Sequence, residues 1–186
     1  AAIAEKADAI FVHHGLFWRG QSGLVTGWMR ERLKLLLEHD INLFAYHLPL
    51  DAHPTLGNNA QLGQQLGLIG PDASASGNIT HFGEQQLGWM ASIEPNSNEA
   101  LKQPETLHKH LEFFLNRPVS SVFNVDAAIK SIAWCSGGAQ SYFEAAINAG
   151  ADAFITGEIS EPQAHLAREC GVSYFACGHH ATERYG

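Results

Sequence analysis

Short apolar segments alternate with amphipathic ones along most of this 186-residue chain. The first predicted strand covers residues 9–14, and the helix predicted at residues 28–39 has apolar side chains at helical spacing. A second strand is predicted at residues 41–47, and the same alternation returns in residues 130–177. Strands that alternate with helices favour an α/β fold with a parallel or mixed sheet covered by helices.

The middle of the chain has a different character. Residues 70–77 are small and polar, and the helix predicted at residues 104–117 begins with a proline in its first turn. We therefore predict a first α/β half in residues 1–69, an inserted variable α+β segment in residues 70–129 and a second α/β half in residues 130–186. The three parts are expected to form one compact unit.

The two predicted halves resemble each other in sequence. Residues 7–15 read ADAIFVHHG and residues 151–158 read ADAFITGE, and each stretch is followed by a predicted helix and another strand. Those second strands end in matched pairs with the acid four residues after the histidine, His47 with Asp51 and His179 with Glu183. Any two strand–helix units look somewhat alike, but the matched endings favour two pseudo-symmetric halves with a metal site between them.

Charge and cysteine content limit the functions open to the chain. The formal net charge of −8 argues against binding nucleic acid through its phosphates, which calls for a basic face. No apolar run reaches about 18 residues, so no membrane span is predicted. The cysteines form no CxxC motif, and their odd number makes a disulfide framework a poor interpretation; they are Cys135, Cys170 and Cys177. A cytoplasmic location is the simplest expectation.

Histidines and carboxylates gather at the predicted strand ends. In α/β sheets, ligands bind at the carboxyl ends of the strands. The residues at those ends are His13, His14, His47, Asp51, Glu158, His179, His180 and Glu183. Imidazole and carboxylate groups suit zinc, manganese, iron or nickel. The alternative is a set of ordinary histidines, which we expect of His39, His108 and His110 on exposed helix faces.

Local geometry sets further expectations for this set. Neighbouring strand residues point to opposite faces, so His13 and His14 are expected to serve different ions unless the chain bends there. His179 and Glu183 share one face if a helix begins at Gly178. A carboxylate has two oxygens and can bridge two ions about 3.5–4 Å apart, as in hydrolytic dinuclear centres.

A glycine-rich turn lies between a predicted strand and a predicted helix at residues 135–138, Cys-Ser-Gly-Gly. Backbone N–H groups at such a helix start can hold an anion. The turn lacks the lysine of a P-loop and the spacing of GxGxxG, so tight packing is the favoured interpretation. We expect Cys135 to be a buried strand-end residue rather than a nucleophile.

Six motifs along nearly the whole chain resemble those of the Nif-three-like (YbgI-like) family, whose bacterial members are named GTP cyclohydrolase I type 2 homologues. The motifs are VHHG (12–15), HLPLDAH (47–53), LGNNAQL (56–62), AWCSGGAQS (133–141), DAFITGEISE (152–161) and GHHATER (178–184). The short bacterial form of that family has additional segments before and after the residues matched here. The chain is therefore expected to be cut at both ends.

This resemblance implies two divalent metal ions per subunit, held between two similar α/β halves. It implies that the ligands are His13, His14, Asp51, His179 and Glu183, and that the subunits form a toroidal homohexamer. The matched strand endings would make His47 a further ligand, whereas the resemblance leaves it outside the ligand set. We assign His47 and Glu158 as candidate catalytic residues.

The leading functional hypothesis is a dinuclear metal-dependent hydrolase. Water activated by the metal ions would attack a small-molecule substrate, and the family name suggests a nucleotide such as GTP with hydrolytic ring opening. The alternative is a non-enzymatic metal-binding ring that serves as a chaperone or interaction scaffold. A purely structural metal site is disfavoured, because structural zinc favours closed, cysteine-rich sites.

Overall fold

The computed structural model describes residues 1–71 and 78–186, so most of the small polar segment at 70–77 lies outside the described residues. The chain separates into two compact units, Ala1–Leu50 and Asp51–Gly186. Strands and helices alternate in both, which confirms the predicted mixed α/β class. The division at residues 69 and 129 stays a prediction.

The first unit is a single β-α-β arrangement. Strand β1 (Ala9–Val12) lies parallel to β2 (Asn42–Ala45), and helix α1 (Gly27–Glu38) connects them. One face of this two-stranded sheet is covered, because Ile10 and Leu43 line the same apolar cavity as Leu36 of the helix. The crossover helix therefore provides the apolar cover that one face of the two strands requires.

The opposite face of the two strands carries aromatic side chains. Phe11 stacks on Phe44, with ring centroids 5.4 Å apart, and on Tyr46 at 5.2 Å. Phe11 is 72% exposed, and the other two rings are about half exposed. These rings stabilise the pair of strands by cross-strand contact, yet much of their surface faces solvent.

The second unit contains a six-stranded sheet, ordered β3-β4-β6-β7-β8-β5. Its strands are β3 (Ile79–Phe82), β4 (Gly88–Ser92), β5 (Ser120–Val122), β6 (Ser131–Trp134), β7 (Ala153–Thr156) and β8 (Ser173–Ala176). The three central strands β6, β7 and β8 are parallel, and the outer strands run antiparallel to their neighbours. Strand β5 lies at the edge of the sheet.

Helices cover both faces of this sheet. The remaining helices are α2 (Leu48–Asp51), α3 (Asn58–Gln65), α4 (Pro104–Leu115), α5 (Phe143–Asn148), α6 (Glu161–Cys170) and α7 (His179–Thr182), and α2 carries the chain out of the first unit. Leu62 and Leu111 belong to the core cluster that contains Ile155, whereas Phe143 belongs to the one that contains Phe154. Successive residues of β7 thus face different cores, which is why the central strands are apolar throughout.

Backbone hydrogen bonds continue past the carboxyl ends of the central strands. The Gly157 N–H donates to the Gly137 carbonyl at 2.9 Å, and the Gly178 N–H donates to the Gly157 carbonyl at 2.8 Å. The turns that follow β6, β7 and β8 are therefore held side by side. This edge carries the candidate site of the second unit.

The two stretches with similar sequences fold in the same way. Strands β7 and β8 are parallel and joined by α6, just as β1 and β2 are joined by α1. A one-turn helix follows the second strand in each case, α2 after β2 and α7 after β8. Among the described residues, no helix combines the length and the apolar character needed to cross a membrane.

Candidate metal centre

Three histidines of the first unit converge after the ends of its two strands. His13 and His14 follow β1, and His47 follows β2. The ring centroid of His13 lies 4.8 Å from that of His14 and 4.9 Å from that of His47. One ring nitrogen from each of the three lies within 4.8 Å of the others, so this histidine set could hold a metal ion.

The chain bends where His13 and His14 leave the strand. The predicted strand at residues 9–14 ends at Val12, and the next two residues form a bend. The two side chains therefore do not alternate across a strand, and the structure has the bend that the sequence analysis left open as the alternative to separate ions. The bend brings both imidazoles to one place, beside which Trp18 contacts the ring of His47 edge-on at 5.0 Å.

A backbone contact orients His13. Its Nδ1 lies 3.0 Å from the Tyr46 carbonyl oxygen. A carbonyl can only accept, so Nδ1 carries the proton and Nε2 carries the lone pair in the neutral ring. Metal-binding histidines characteristically donate their other ring N–H to such a carbonyl, which fixes the ring and its tautomer.

The second unit contains an acidic set, which we define as Asp51, His179 and Glu183. Helix α7 begins at His179, directly after Gly178, as the sequence predicts. His179 Nε2 lies 3.1 Å from Glu183 Oε2, and its Nδ1 lies 2.6 Å from Glu158 Oε1. The side chain of Glu183 is only 8% exposed, whereas that of Glu158 is 45% exposed.

The imidazole of His179 thus has a carboxylate at each nitrogen. A neutral imidazole has one N–H, so it can donate to Glu158 or to Glu183 but not to both. A lone pair facing a carboxylate is repelled, unless a second proton or a cation lies between them. His179 Nε2 and Glu183 Oε2 bring a nitrogen and an oxygen donor within 3.1 Å of each other. Imidazole and carboxylate donors suit a divalent metal ion, so the residues present fit one.

Asp51 is buried within a polar network. Its side chain is 6% exposed at the end of α2. Asn58 Nδ2 donates to Asp51 Oδ1 at 2.9 Å, and the Ser136 hydroxyl lies 3.5 Å from the same oxygen. A buried carboxylate needs such donors, because it has lost its water.

The two acids of this set, Asp51 and Glu183, both act electrostatically on Cys135. Burial, followed by the negative charge of Asp51, raises the pKa of the Cys135 thiol to about 12, and Glu183 raises the pKa further against a hydrogen bond from Asn59. Both carboxylates therefore act electrostatically on the same thiol. Cys135 is buried, as predicted, and its high pKa makes it a poor nucleophile at neutral pH.

Alkylation of the native protein is expected to separate the cysteines. Cys170 is exposed, whereas burial raises the pKa of Cys177 as well to about 12. At pH 8, iodoacetamide should modify Cys170 and leave Cys135 and Cys177 unmodified until the protein is denatured, because the thiolate is the reactive form. Peptide mass spectrometry measures this directly. Modification of native Cys135 at the rate of Cys170 would contradict the burial and the raised pKa of Cys135.

The glycine-rich turn packs beneath this set. Gly137 has φ +69°, and a Cβ atom there would overlap Oε1 of Glu183 and lie 2.9 Å from its Cδ. The Gly137 N–H donates to the buried Thr182 hydroxyl at 2.9 Å, which ties the turn to α7. Tight packing is therefore the reason for this glycine, as the sequence indicates.

Sequence reasoning missed the roles of the two asparagines in LGNNAQL. The N-cap of α3 is Gly57, and Asn58 and Asn59 lie inside the helix and are fully buried. Asn59 Oδ1 accepts from the Ser136 N–H at 2.7 Å, while Asn58 binds Asp51. The signal was present as two adjacent amides at the start of a helix that is otherwise apolar on its buried face.

Two histidines expected on exposed helix faces are instead engaged within the second unit. His108 Nδ1 lies 2.9 Å from the Ser121 hydroxyl, and His110 Nε2 lies 3.1 Å from the Leu66 carbonyl oxygen. Both side chains are partly buried because α4 packs on the sheet. They are satisfied structural histidines, whereas His39 is exposed as predicted.

The sequence profile of Duf34/NIF3 (NGG1p interacting factor 3) matches residues 1–186. The chain belongs to the Duf34/NIF3 family. In this Duf34/NIF3 protein, the motifs VHHG, HLPLDAH and GHHATER contain all the residues of the histidine set and of the acidic set.

Relatives of this Duf34/NIF3 protein are similar along the whole chain. A protein of Neisseria meningitidis named GTP cyclohydrolase 1 type 2 homolog is 48% identical over 185 residues, which are 100% of this chain and 69% of the relative. One of the same name in Escherichia coli is 44% identical over 187 residues, with 100% and 69% covered. A solved structure described as protein ybgI of unknown function has a TM-score of 0.82 at 43% identity, with 100% and 69% covered.

Proposed function

We propose that this protein is a metal-dependent hydrolase with two divalent metal ions per subunit. In this proposal the ligands are His13, His14, Asp51, His179 and Glu183. The observation that carries it is the imidazole of His179 flanked by two carboxylates at 2.6 and 3.1 Å, together with the convergent histidine set. Zinc, iron, manganese and nickel are all compatible with such nitrogen and oxygen donors.

A divalent cation supplies Lewis acidity, which lowers the pKa of water enough to give a nucleophile near neutral pH. The protein supplies the geometry. The Tyr46 carbonyl and the Glu158 carboxylate each hold the Nδ1 proton of a histidine, so that Nε2 of His13 and His179 carries the lone pair. Buried Asp51 and Glu183 supply the negative charge that offsets the charge of the cations.

His47 and Glu158 are the proposed catalytic residues. The ring of His47 lies beside those of His13 and His14, and an imidazole can accept a proton at one nitrogen and donate one from the other. Glu158 is about half exposed and already accepts from His179 Nδ1, so it can both orient that ring and exchange protons with solvent. Each group is therefore able to handle protons next to a proposed ligand.

A small molecule is the proposed substrate, and a nucleotide is favoured by what the relatives are called. The name GTP cyclohydrolase 1 type 2 homolog points to hydrolytic opening of a purine ring. Metal analysis of the natural full-length protein, followed by incubation of the metal-loaded form with GTP, other nucleotides and simple phosphoesters, tests this. Turnover that depends on metal and is lost in Asp51→Asn supports the proposal, and no turnover of any of them would contradict the hydrolase assignment.

The variant His47→Ala is expected to retain nearly all of its metal and to lose hydrolytic activity. A side chain that moves protons near the ions affects the reaction, and losing such a partner costs about 10–100-fold. Metal content by mass spectrometry and turnover on the same sample measure both effects. His39→Ala, on an exposed position, is the matched control. If His47→Ala empties the site, then His47 is a ligand, as the matched strand endings indicate.

A non-enzymatic metal-binding ring, acting as a chaperone or interaction scaffold, is the second candidate. The exposed aromatic face of the first unit favours it, because large exposed apolar surfaces mark interaction sites. The family resemblance adds a toroidal homohexamer to either proposal, and light scattering of the full-length protein measures that state. A cytoplasmic location belongs to the proposal too, since the described cysteines are all free thiols.

A further inference from the structure

Asp51 lies in a helix too short to fix the orientation of its side chain. Helix α2 has only four residues, and Asp51 is the last of them. Its carboxylate is nevertheless buried, so its orientation must come from side chains that contact it. A ligand that binds metal well needs a fixed orientation, and hydrogen bonds from neighbouring groups usually provide it.

Asn58 contacts that carboxylate directly and is itself fully buried. Its Nδ2 donates to Asp51 Oδ1 at 2.9 Å, and its Oδ1 accepts from the Gly186 N–H at 3.1 Å. A backbone N–H can only donate, so it identifies the oxygen end of the Asn58 amide. The amide cannot turn over without placing a donor against a donor and an acceptor against a carboxylate.

The position of Asn58 is fixed in turn by its neighbour. Asn59 accepts from the Ser136 N–H at 2.7 Å through its side chain, and its carbonyl accepts from Trp134 Nε1 at 2.8 Å. Trp134 is a fully buried residue of the central strand β6. The start of α3 is thereby tied to the middle of the sheet, and a side chain mounted there is held rigidly.

We infer that Asn58 is a positioning residue that orients the Asp51 carboxylate for metal binding. The inference rests on the proposed function, because it takes Asp51 as a ligand. Asn58 does not itself coordinate the ion in this account; it acts through the hydrogen bond to Oδ1. An amide is suited to this task because it donates to the carboxylate without adding charge near the cation.

The test uses cobalt(II) as the probe metal in the natural full-length protein. Asn58→Ala removes the donor, Asn58→Leu removes it while filling similar space, and Gln65→Ala changes an exposed residue of the same helix as the control. The measurements are the cobalt dissociation constant, the visible absorption of bound cobalt, and the unfolding temperature of the metal-free forms. The unfolding temperature identifies any variant that fails to fold. If Asn58→Ala fails to fold, the comparison uses Asn58→Leu in its place.

In the folded Asn58 variants we expect the cobalt dissociation constant to rise about 10–100-fold and the cobalt absorption to change shape, relative to Gln65→Ala. If Asn58 has only a structural role, its substitution lowers the unfolding temperature and leaves both cobalt measurements unchanged in the folded protein. That result would overturn the inference about Asn58 but not the proposed function. If the wild-type protein binds no cobalt or other divalent metal, the proposed function fails and the inference fails with it.

Discussion

Replacing Glu183 with glutamine is expected to remove most of the bound metal. The substitution keeps the shape of the side chain but takes away its charge and the ability of both oxygens to bind cations. The side chain of Glu183 is also nearly buried, and its Oε2 lies 3.1 Å from His179 Nε2. Solvent therefore has little access with which to replace the lost carboxylate.

The measurement is metal content by mass spectrometry after equilibration at a fixed free metal concentration. His180→Ala is the matched control, because His180 is an exposed residue of α7, the helix that ends directly before Glu183, and is not a proposed ligand. Glu183→Gln should lose metal while His180→Ala retains it. Equal metal content in the two variants would remove Glu183 from the ligand set.

Substituting Gly137 with alanine is expected to damage both stability and metal binding. The backbone there has φ +69°, which costs an alanine about 1–2 kcal/mol, and its methyl group would overlap the Glu183 carboxylate. The carboxylate or the turn must then move. Either movement changes the geometry between Glu183 and His179.

Gly171 provides a control for the backbone contribution. Its φ is +68°, nearly the same as that of Gly137, but a Cβ there meets nothing within 4 Å. Gly171→Ala should therefore show the strain alone, with metal content unchanged. Chemical unfolding and metal analysis of both variants isolate the effect of the overlap. A Gly137→Ala protein no less stable than Gly171→Ala, and fully loaded with metal, would contradict the packing described here.

Local periodicity predicted the central elements well. Strands β6, β7 and β8 are continuous apolar runs because helices cover both faces of the sheet, and such runs are visible in any single sequence. The pairings of β3, β4 and β5 with these strands were not predicted, since antiparallel partners far apart in the chain leave no local pattern. Residues placed in an inserted segment therefore contribute to the same six-stranded sheet.

In the candidate site, too, contacts between residues far apart in the chain could not be predicted from local sequence patterns. Charged and imidazole side chains at strand ends are recognisable because their types are rare there, so Asp51, His179 and Glu183 could be singled out. Asn58 was not singled out, since a local pattern cannot show that a buried carboxylate lies beside it. The sequence left the bend at His13 as one of two alternatives, because β-branched and aromatic residues before it favour a strand without showing where the strand ends.

Anomalous X-ray diffraction at the absorption edge of the bound metal, on crystals of the natural full-length protein, tests the central claim most directly. The account predicts two anomalous peaks per subunit, about 3.5–4 Å apart, contacted by His13, His14, Asp51, His179 and Glu183. No peak in metal-supplemented crystals, or a peak that none of these side chains contacts, would contradict it.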